Sequence, residues 1–461
     1  MKKRILCTAL AGVLCLSSAV LAGCGGTVEI RYDNQIKEDK SYNENLFYRN
    51  DCKIPGADPM VLKITDRNSP EYGYYYQYST NSFTVYRSKD LHNWENVSKK
   101  VGHPAYILGA NDFGAALDGS FWAPEVVYDE NDGKYYLFFS MEPRYGDANH
   151  SDETLMCAVS DQPYGPFVAV KEGVANPNRD HALENYFFDM PVLTAQLREK
   201  YPQRFAEDYT YAAALDPSPF TDPATGKKYL YWTSERYDAI ESETCVFGME
   251  MENWTTPKYE TVTMLTRPRY TTVDGNEICD AEIATNTINE GAFMYAKPNG
   301  NGGYTYYLTL SVNNYNNKTY SAIQAIGSSP LGTFTKLQKA DGGVLLGTDN
   351  QLWDHLSGPG HHSFVEEDGK LYILYHQHID VIAAGAARAL SLDEVKFVTN
   401  DKGQEVMYVN GPTRSIQLLP EFASEYKNIA GDAKITASNK EDAGMLTDGL
   451  LSLYSYIDYV K

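Results

Sequence analysis

Four acidic residues and a histidine stand at comparable places along this 461-residue chain, each just ahead of a hydrophobic, strand-like run. They are Asp58 in Gly56-Ala57-Asp58-Pro59-Met60-Val61, Glu125 in Phe121-Trp122-Ala123-Pro124-Glu125-Val126, and Asp216 in Ala214-Leu215-Asp216-Pro217-Ser218. Glu290 in Ile288-Asn289-Glu290-Gly291-Ala292 and His361 in Gly358-Pro359-Gly360-His361-His362 complete the set. Taken singly, each has an ordinary explanation: Asp-Pro opens turns, a Glu before Gly could be a solvated loop acid, and a His pair could pack in a core. Their recurrence at one place in a repeat shifts that balance, because solvent-facing acids have no reason to recur there. Carboxylates a few ångströms apart raise one another's pKa, and desolvation adds to the cost, so gathering them needs a use. Two carboxyl groups flanking a glycosidic bond, one a protonated acid and one an ionised base, are what sugar hydrolysis requires. Nearby Tyr and Trp would supply stacking faces for a sugar ring.

Such residues must be positioned by the elements that follow them. A Gly turn and an aromatic-rich strand recur five times, as in Tyr72-Gly73-Tyr74-Tyr75-Tyr76, Asp132-Gly133-Lys134-Tyr135-Tyr136 and Gly226-Lys227-Lys228-Tyr229-Leu230. Gly302-Gly303-Tyr304-Thr305-Tyr306 and Asp368-Gly369-Lys370-Leu371-Tyr372 are the last two. Each has the composition of a strand after a tight hairpin. A second element follows in several copies: Ser88-Lys89-Asp90-Leu91-His92-Asn93-Trp94, Ser160-Asp161-Gln162-Pro163-Tyr164-Gly165-Pro166-Phe167 and Ser328-Ser329-Pro330-Leu331-Gly332-Thr333-Phe334. Antiparallel repeats of this kind form a propeller or paired sandwiches, and five similar units favour a five-bladed β-propeller. The fold expected is all-β, with the axis-facing strands converging on one small cavity. One helix is expected over 192–206, as an insertion between blades 2 and 3.

Ala57-Asp58-Pro59, Trp122-Ala123-Pro124-Glu125, Leu215-Asp216-Pro217-Ser218, Asn289-Glu290-Gly291 and Gly358-Pro359-Gly360-His361, in that order, resemble glycoside hydrolase family 43. The resemblance implies a five-bladed propeller that hydrolyses arabinose- or xylose-containing glycosides with inversion and requires no cofactor. It implies Asp58 as general base, Glu290 as general acid, and Asp216 as the residue that orients Glu290 and keeps its pKa raised. By the same likeness His361 contacts substrate or, as in some members, an axial calcium ion through waters. Trp122 and Glu125 would line the substrate, although Asp is at least as usual after Trp-Ala-Pro, and Arg388 is matched to a basic residue near the acid. The expected substrate is arabinan, arabinoxylan or their oligosaccharides, and the expected activity α-L-arabinofuranosidase or β-xylosidase. An endo-arabinanase, a retaining propeller glycosidase and a non-catalytic surface glycan-binding lipoprotein are the alternatives; the last would have lost the base or acid, and both are present.

Composition fits this class and excludes others. With 40 Lys+Arg against 61 Asp+Glu the formal charge is −21, which disfavours nucleic acid, whose binding draws on cations. Lys2, Lys3 and Arg4, the apolar run Ile5 to Val20 and Leu21-Ala22-Gly23-Cys24 form an export signal with a lipobox, so residues 1–23 are expected to be removed and Cys24 lipidated. The expected product is an exported bacterial lipoprotein that touches the membrane only through its lipid, with residues 24–50 as a polar tether and 51–425 as the propeller. Cys157 and Cys245 lie in strand-like runs and read as buried small hydrophobes, and a Cys52–Cys279 bridge stays open. Residues 426–461 resemble the start of a discoidin-like carbohydrate-binding sandwich, through Ala433-Lys434-Ile435-Thr436-Ala437-Ser438 and Leu446-Thr447-Asp448-Gly449.

Overall fold

The structure is a computed structural model, described over residues 42–436 apart from 52, 81–83, 99–119, 143–153, 171–186, 206–212, 238–241, 349–355, 381–383, 386, 415, 425–428 and 430–431. The signal, Cys24, Cys52 and most of the discoidin-like tail lie outside the described residues.

Five antiparallel sheets follow one another along the chain, each built from consecutive strands. Their innermost strands are Ala57–Lys63, Ser120–Asp129, Leu215–Thr221, Asn289–Pro298 and Gly360–Glu367, and their second strands are Tyr75–Thr80, Lys134–Glu142, Lys228–Tyr237, Tyr304–Val312 and Lys370–His378. The Gly-aromatic repeats thus form the second strand of every blade. A hydrophobic cluster fills each seam between neighbours, and the fifth joins Val365, Tyr372 and Leu392 of blade 5 to Val61 and Tyr75 of blade 1. The ring of blades is therefore closed, and the five-bladed propeller read from the repeats is present.

Tyrosine rather than phenylalanine suits these strands because its hydroxyl ties blade to blade. Tyr78 of blade 1 donates to the Pro163 carbonyl at 2.5 Å, and Tyr231 of blade 3 donates to the Pro330 carbonyl at 3.1 Å. Both tyrosines are fully buried, and both sit opposite the first residue paired after the inner-strand bulge described below, Met60 and Ser218. The recurring Pro-x-Gly-x-Phe element is the acceptor that the next blade supplies. Each such bond adds about 1 kcal/mol to the ring's burial of roughly 2 kcal/mol.

Closure employs residues read as tether. Phe47–Tyr48 pair antiparallel with Gln417–Leu418, and the Asn50 side chain bonds to the backbone of Leu392 and Thr413. The first described strand is thus Phe47–Tyr48, inside the 24–50 segment, in a two-stranded sheet apart from the five blades. The helix, α1, spans Met190–Lys200, shorter than the expected 192–206. Asp189 caps it by accepting from the Val192 N–H at 3.1 Å, and it ends at Tyr201 because a residue before proline, here Pro202, disfavours the helical region. Cys157, Cys245 and Cys279 are buried free thiols, so Cys279 is in no bridge; its Sγ donates to the Leu337 carbonyl at 3.6 Å. Among the described residues no helix is long and apolar enough to cross a membrane.

Candidate active site

Every innermost strand carries a one-residue β-bulge at the same place. Pairing jumps from Ala57 to Met60, Trp122 to Glu125, Leu215 to Ser218, Glu290 to Phe293 and Gly360 to His362, while the partner strand advances one residue fewer. The first bulged residue is left-handed in all five blades: Asp58 (φ 52°), Ala123 (φ 45°), Asp216 (φ 48°), Gly291 (φ 56°) and His361 (φ 40°). A bulge re-aims side chains that would otherwise alternate along a strand. A left-handed non-glycine residue costs on the order of 1–2 kcal/mol, and such strain gathers at functional sites.

The carboxylates are therefore not at one identical position. Asp58, Asp216 and His361 occupy the bulge itself. Glu290 stands one residue before it, as does the half-buried Trp122 in blade 2, and Glu125 stands two residues after it.

The amide N–H of each left-handed residue is accepted by a side chain of the preceding blade. Ala123 N–H goes to Thr80 Oγ1 at 2.9 Å, Asp216 N–H to Ser140 Oγ at 2.8 Å, His361 N–H to Ser311 Oγ at 2.7 Å and Asp58 N–H to His376 Nδ1 at 3.1 Å. These four acceptors share one register, opposite the residue before the bulge. Blade 3 breaks the pattern. Thr233 holds the equivalent register, but its buried hydroxyl has no partner among the described residues. The Gly291 N–H is taken instead by Asp216 Oδ2 at 3.1 Å. The exception ties the Asp216 carboxyl to the residue that follows Glu290.

Asp58 is buried among polar and charged side chains. Thr80 Oγ1 donates to Oδ2 at 2.6 Å and Arg388 Nη1 to Oδ1 at 3.0 Å, with His361 Nδ1 at 3.3 Å and His376 Nδ1 at 3.4 Å from Oδ1. Burial pushes its pKa up, but Arg388, His361 and Thr80 together outweigh burial and hold the carboxyl below its ordinary value. It is an ionised carboxylate, as a base must be. The resemblance set Arg388 near the acid; its guanidinium bonds to Asp58, and also lies 4.8 Å over the Tyr315 ring. Closure is the reason, since the Arg388 carbonyl accepts the Gly56 N–H at 3.0 Å where the chain end meets blade 5.

Asp216 behaves oppositely. Burial pushes its carboxyl up to about 7; His361 opposes the rise, Glu290 and Asp58 add to it, and the Gly291 N–H opposes it. Asp58, Asp216, Glu290 and His361 therefore form one electrostatic group. Glu290 is half-buried and accepts from Tyr320 Oη at 2.7 Å. Glu125 is buried, and desolvation followed by the Asp216 charge holds its carboxyl well above the usual range. His361 packs so closely on Gly291 that a Cβ there would lie 3.0 Å from Nδ1.

A stability test follows from Asp216. An acid whose folded pKa lies above its unfolded value of about 3.9 gives its full stabilisation below that value and loses it as pH rises through the folded pKa. Asp216→Asn, which can still accept the Gly291 N–H, is expected to melt higher than the wild type at about pH 8, with no such gain near about pH 4, while hydrolysis slows. Melting curves of both proteins across that range check it; a gain at the acid end instead would contradict it.

Thr80, Ser311, Tyr320 and His376 were not among the residues singled out in the sequence. One signal was available: Thr80, Ser140, Thr233, Ser311 and His376 place a small polar residue or a histidine near the end of each apolar second strand. Among the described residues no group of three or more His, Cys, Asp or Glu side chains could hold a metal. Calcium takes six to eight oxygen ligands, and the Asp58 oxygens beside His361 already face Arg388 and Thr80. The described residues around His361 therefore supply no direct set of calcium ligands.

The sequence model of glycosyl hydrolases family 43 matches residues 55–183 and 200–402. The unmatched stretch between them holds almost all of α1. A thermostable family-43 glycoside hydrolase of known structure is 24% identical over 81% of this chain and 99% of its own, with a TM-score of 0.56. The family-43 BlXynB protein from Bacillus licheniformis is 17% identical, covering 83% of this chain and 60% of its own, with a TM-score of 0.53. A family-43 protein retrieved from a capybara gut metagenome is 16% identical, over 83% and 59%, with a TM-score of 0.52. At these identities the likeness is one of fold. A search of curated proteins found no match.

Proposed function

Since this chain belongs to glycosyl hydrolases family 43 and is an inverting glycoside hydrolase, we propose that it releases arabinose or xylose from plant polysaccharide fragments, as an α-L-arabinofuranosidase or β-xylosidase. The observation that carries the assignment of roles is the opposite tuning of two acids on one axis. Asp58 is held ionised by Arg388, His361 and Thr80, while Asp216 is pushed towards neutrality and bonded beside Glu290.

In the proposed reaction Asp58 takes a proton from water as the water oxygen bonds to the anomeric carbon. The bond from that carbon to the leaving oxygen breaks, and Glu290 gives that oxygen its proton. Solvent exchange then returns Asp58 to its charged state and Glu290 to its acid state. Asp216 supports the acid by holding the Gly291 backbone beside it, and in its ionised form it also favours a protonated neighbour.

The choice of sugar rests on the family resemblance and is tested directly. Arabinofuranosyl and xylopyranosyl nitrophenyl glycosides, beside linear arabinan, are expected to give turnover on at least one glycoside and monosaccharide from the polymer. Mixed oligomers from arabinan would assign endo action instead, and turnover confined to other sugars would overturn the substrate class.

A further inference from the structure

Tyr320 immediately precedes the third strand of blade 4, Ser321–Gly327, and is fully buried. Its hydroxyl donates to Glu290 Oε1 at 2.7 Å. Its ring runs parallel to the His376 ring, with centroids 5.6 Å apart and planes 3° from parallel. His376 in turn accepts the Asp58 N–H. Glu290 and Asp58 come from blades 4 and 1, which are not neighbours, yet both bear on the same stacked pair. Gly360 makes room for it, since a Cβ there would sit 2.5 Å from Tyr320 Cε1 and 2.7 Å from Cδ1.

Resting on the reading of Glu290 as general acid, we propose that Tyr320 is a positioning residue for that acid, holding one carboxyl oxygen while its stack on His376 spaces acid from base. Burial, with the charges of Glu290 and Asp58 adding to it, holds the phenol well above its ordinary pKa, so it remains a donor. Orientation of an acid within tenths of an ångström is what supporting side chains of this kind provide.

The test exploits leaving groups. A dinitrophenyl glycoside departs without needing a proton, whereas a sugar or alkyl leaving group needs one. Tyr320→Phe keeps the ring and the stack and removes only the hydroxyl. It is expected to lose roughly tenfold or more in kcat/KM, mainly in kcat, on the oligosaccharide, and to stay within about twofold on the dinitrophenyl glycoside. Equal losses on both substrates, or none on either, would overturn the proposal, because a purely structural role does not sense the leaving group. Glu290→Gln is measured beside it. If that variant shows no leaving-group selectivity, the acid assignment itself fails; if it does and Tyr320→Phe does not, only the positioning role fails. Should Tyr320→Phe not melt cooperatively, Gly360→Ala, whose added carbon displaces the ring, takes its place with the same two outcomes.

Discussion

Asp58→Asn is expected to lose hydrolysis by roughly three orders of magnitude while keeping its fold. Asparagine suits this experiment better than alanine for two reasons. It tolerates the left-handed backbone at φ 52°, where Asn and Asp are enriched among non-glycine residues. Its amide oxygen also still accepts from one of the two donors, Arg388 or Thr80, so fewer buried donors lose their partner than with alanine. What disappears is the charge, and with it the capacity to take a proton from water. The stability consequence has a definite sign. The Asp58 pKa is held below its ordinary value, so its contribution is present above the unfolded pKa and lost as pH falls through the folded one. The Asn variant should accordingly melt somewhat lower than the wild type at neutral pH, with the gap closing in acid. Steady-state kinetics with a melting curve checks both parts; a folded variant turning over within tenfold of wild type would sink the base assignment.

Glu290→Gln removes the proton donor and preserves the shape. The glutamine oxygen can still accept from Tyr320 Oη, which lies 2.7 Å from Oε1 in the wild type. Loss on an oligosaccharide is expected to be roughly 10²- to 10⁴-fold, the range general acid catalysis supplies. Loss on a dinitrophenyl glycoside should be far smaller, since that leaving group departs as an anion. The two variants are thus distinguishable from each other: a missing base slows every substrate alike, whereas a missing acid slows those with poor leaving groups. A Glu290→Gln enzyme equally impaired on both substrates would assign the residue to the architecture of the strand instead.

Much of the scaffold could be read in the sequence because its signals are local. A Gly turn followed by alternating aromatics specifies a hairpin within about ten residues, and five such hairpins in order imply a ring. Asp58, Asp216, Glu290 and His361 could be singled out for the same reason, since each is the second residue of an inner strand whose apolar run follows it. The helix was seen but overrun, because its stop depends on Pro202 rather than on the apolar pattern that continues to Phe205. Arg388 was matched to the acid's surroundings, and its bond to the base Asp58 was not legible. Its partner lies 330 residues away, and only the closing contacts of Pro55 and Gly56 with residues 388–389 bring the two together.

The residue types, their order and the repeat that carries them are thus properties of the chain alone: a tyrosine-rich, five-bladed all-β protein with acids at the head of its inner strands. Their unequal protonation is not. It arises because the bulges turn neighbouring positions towards one axis, and because side chains of one blade accept the N–H groups of the next. At the third blade a carboxylate substitutes for the usual hydroxyl, coupling Asp216 to the residue beside Glu290. Hydrogen bonds and charges act over a few ångströms whatever the separation in sequence. A partner 318 residues away, as His376 is from Asp58, becomes a neighbour only once the ring has closed.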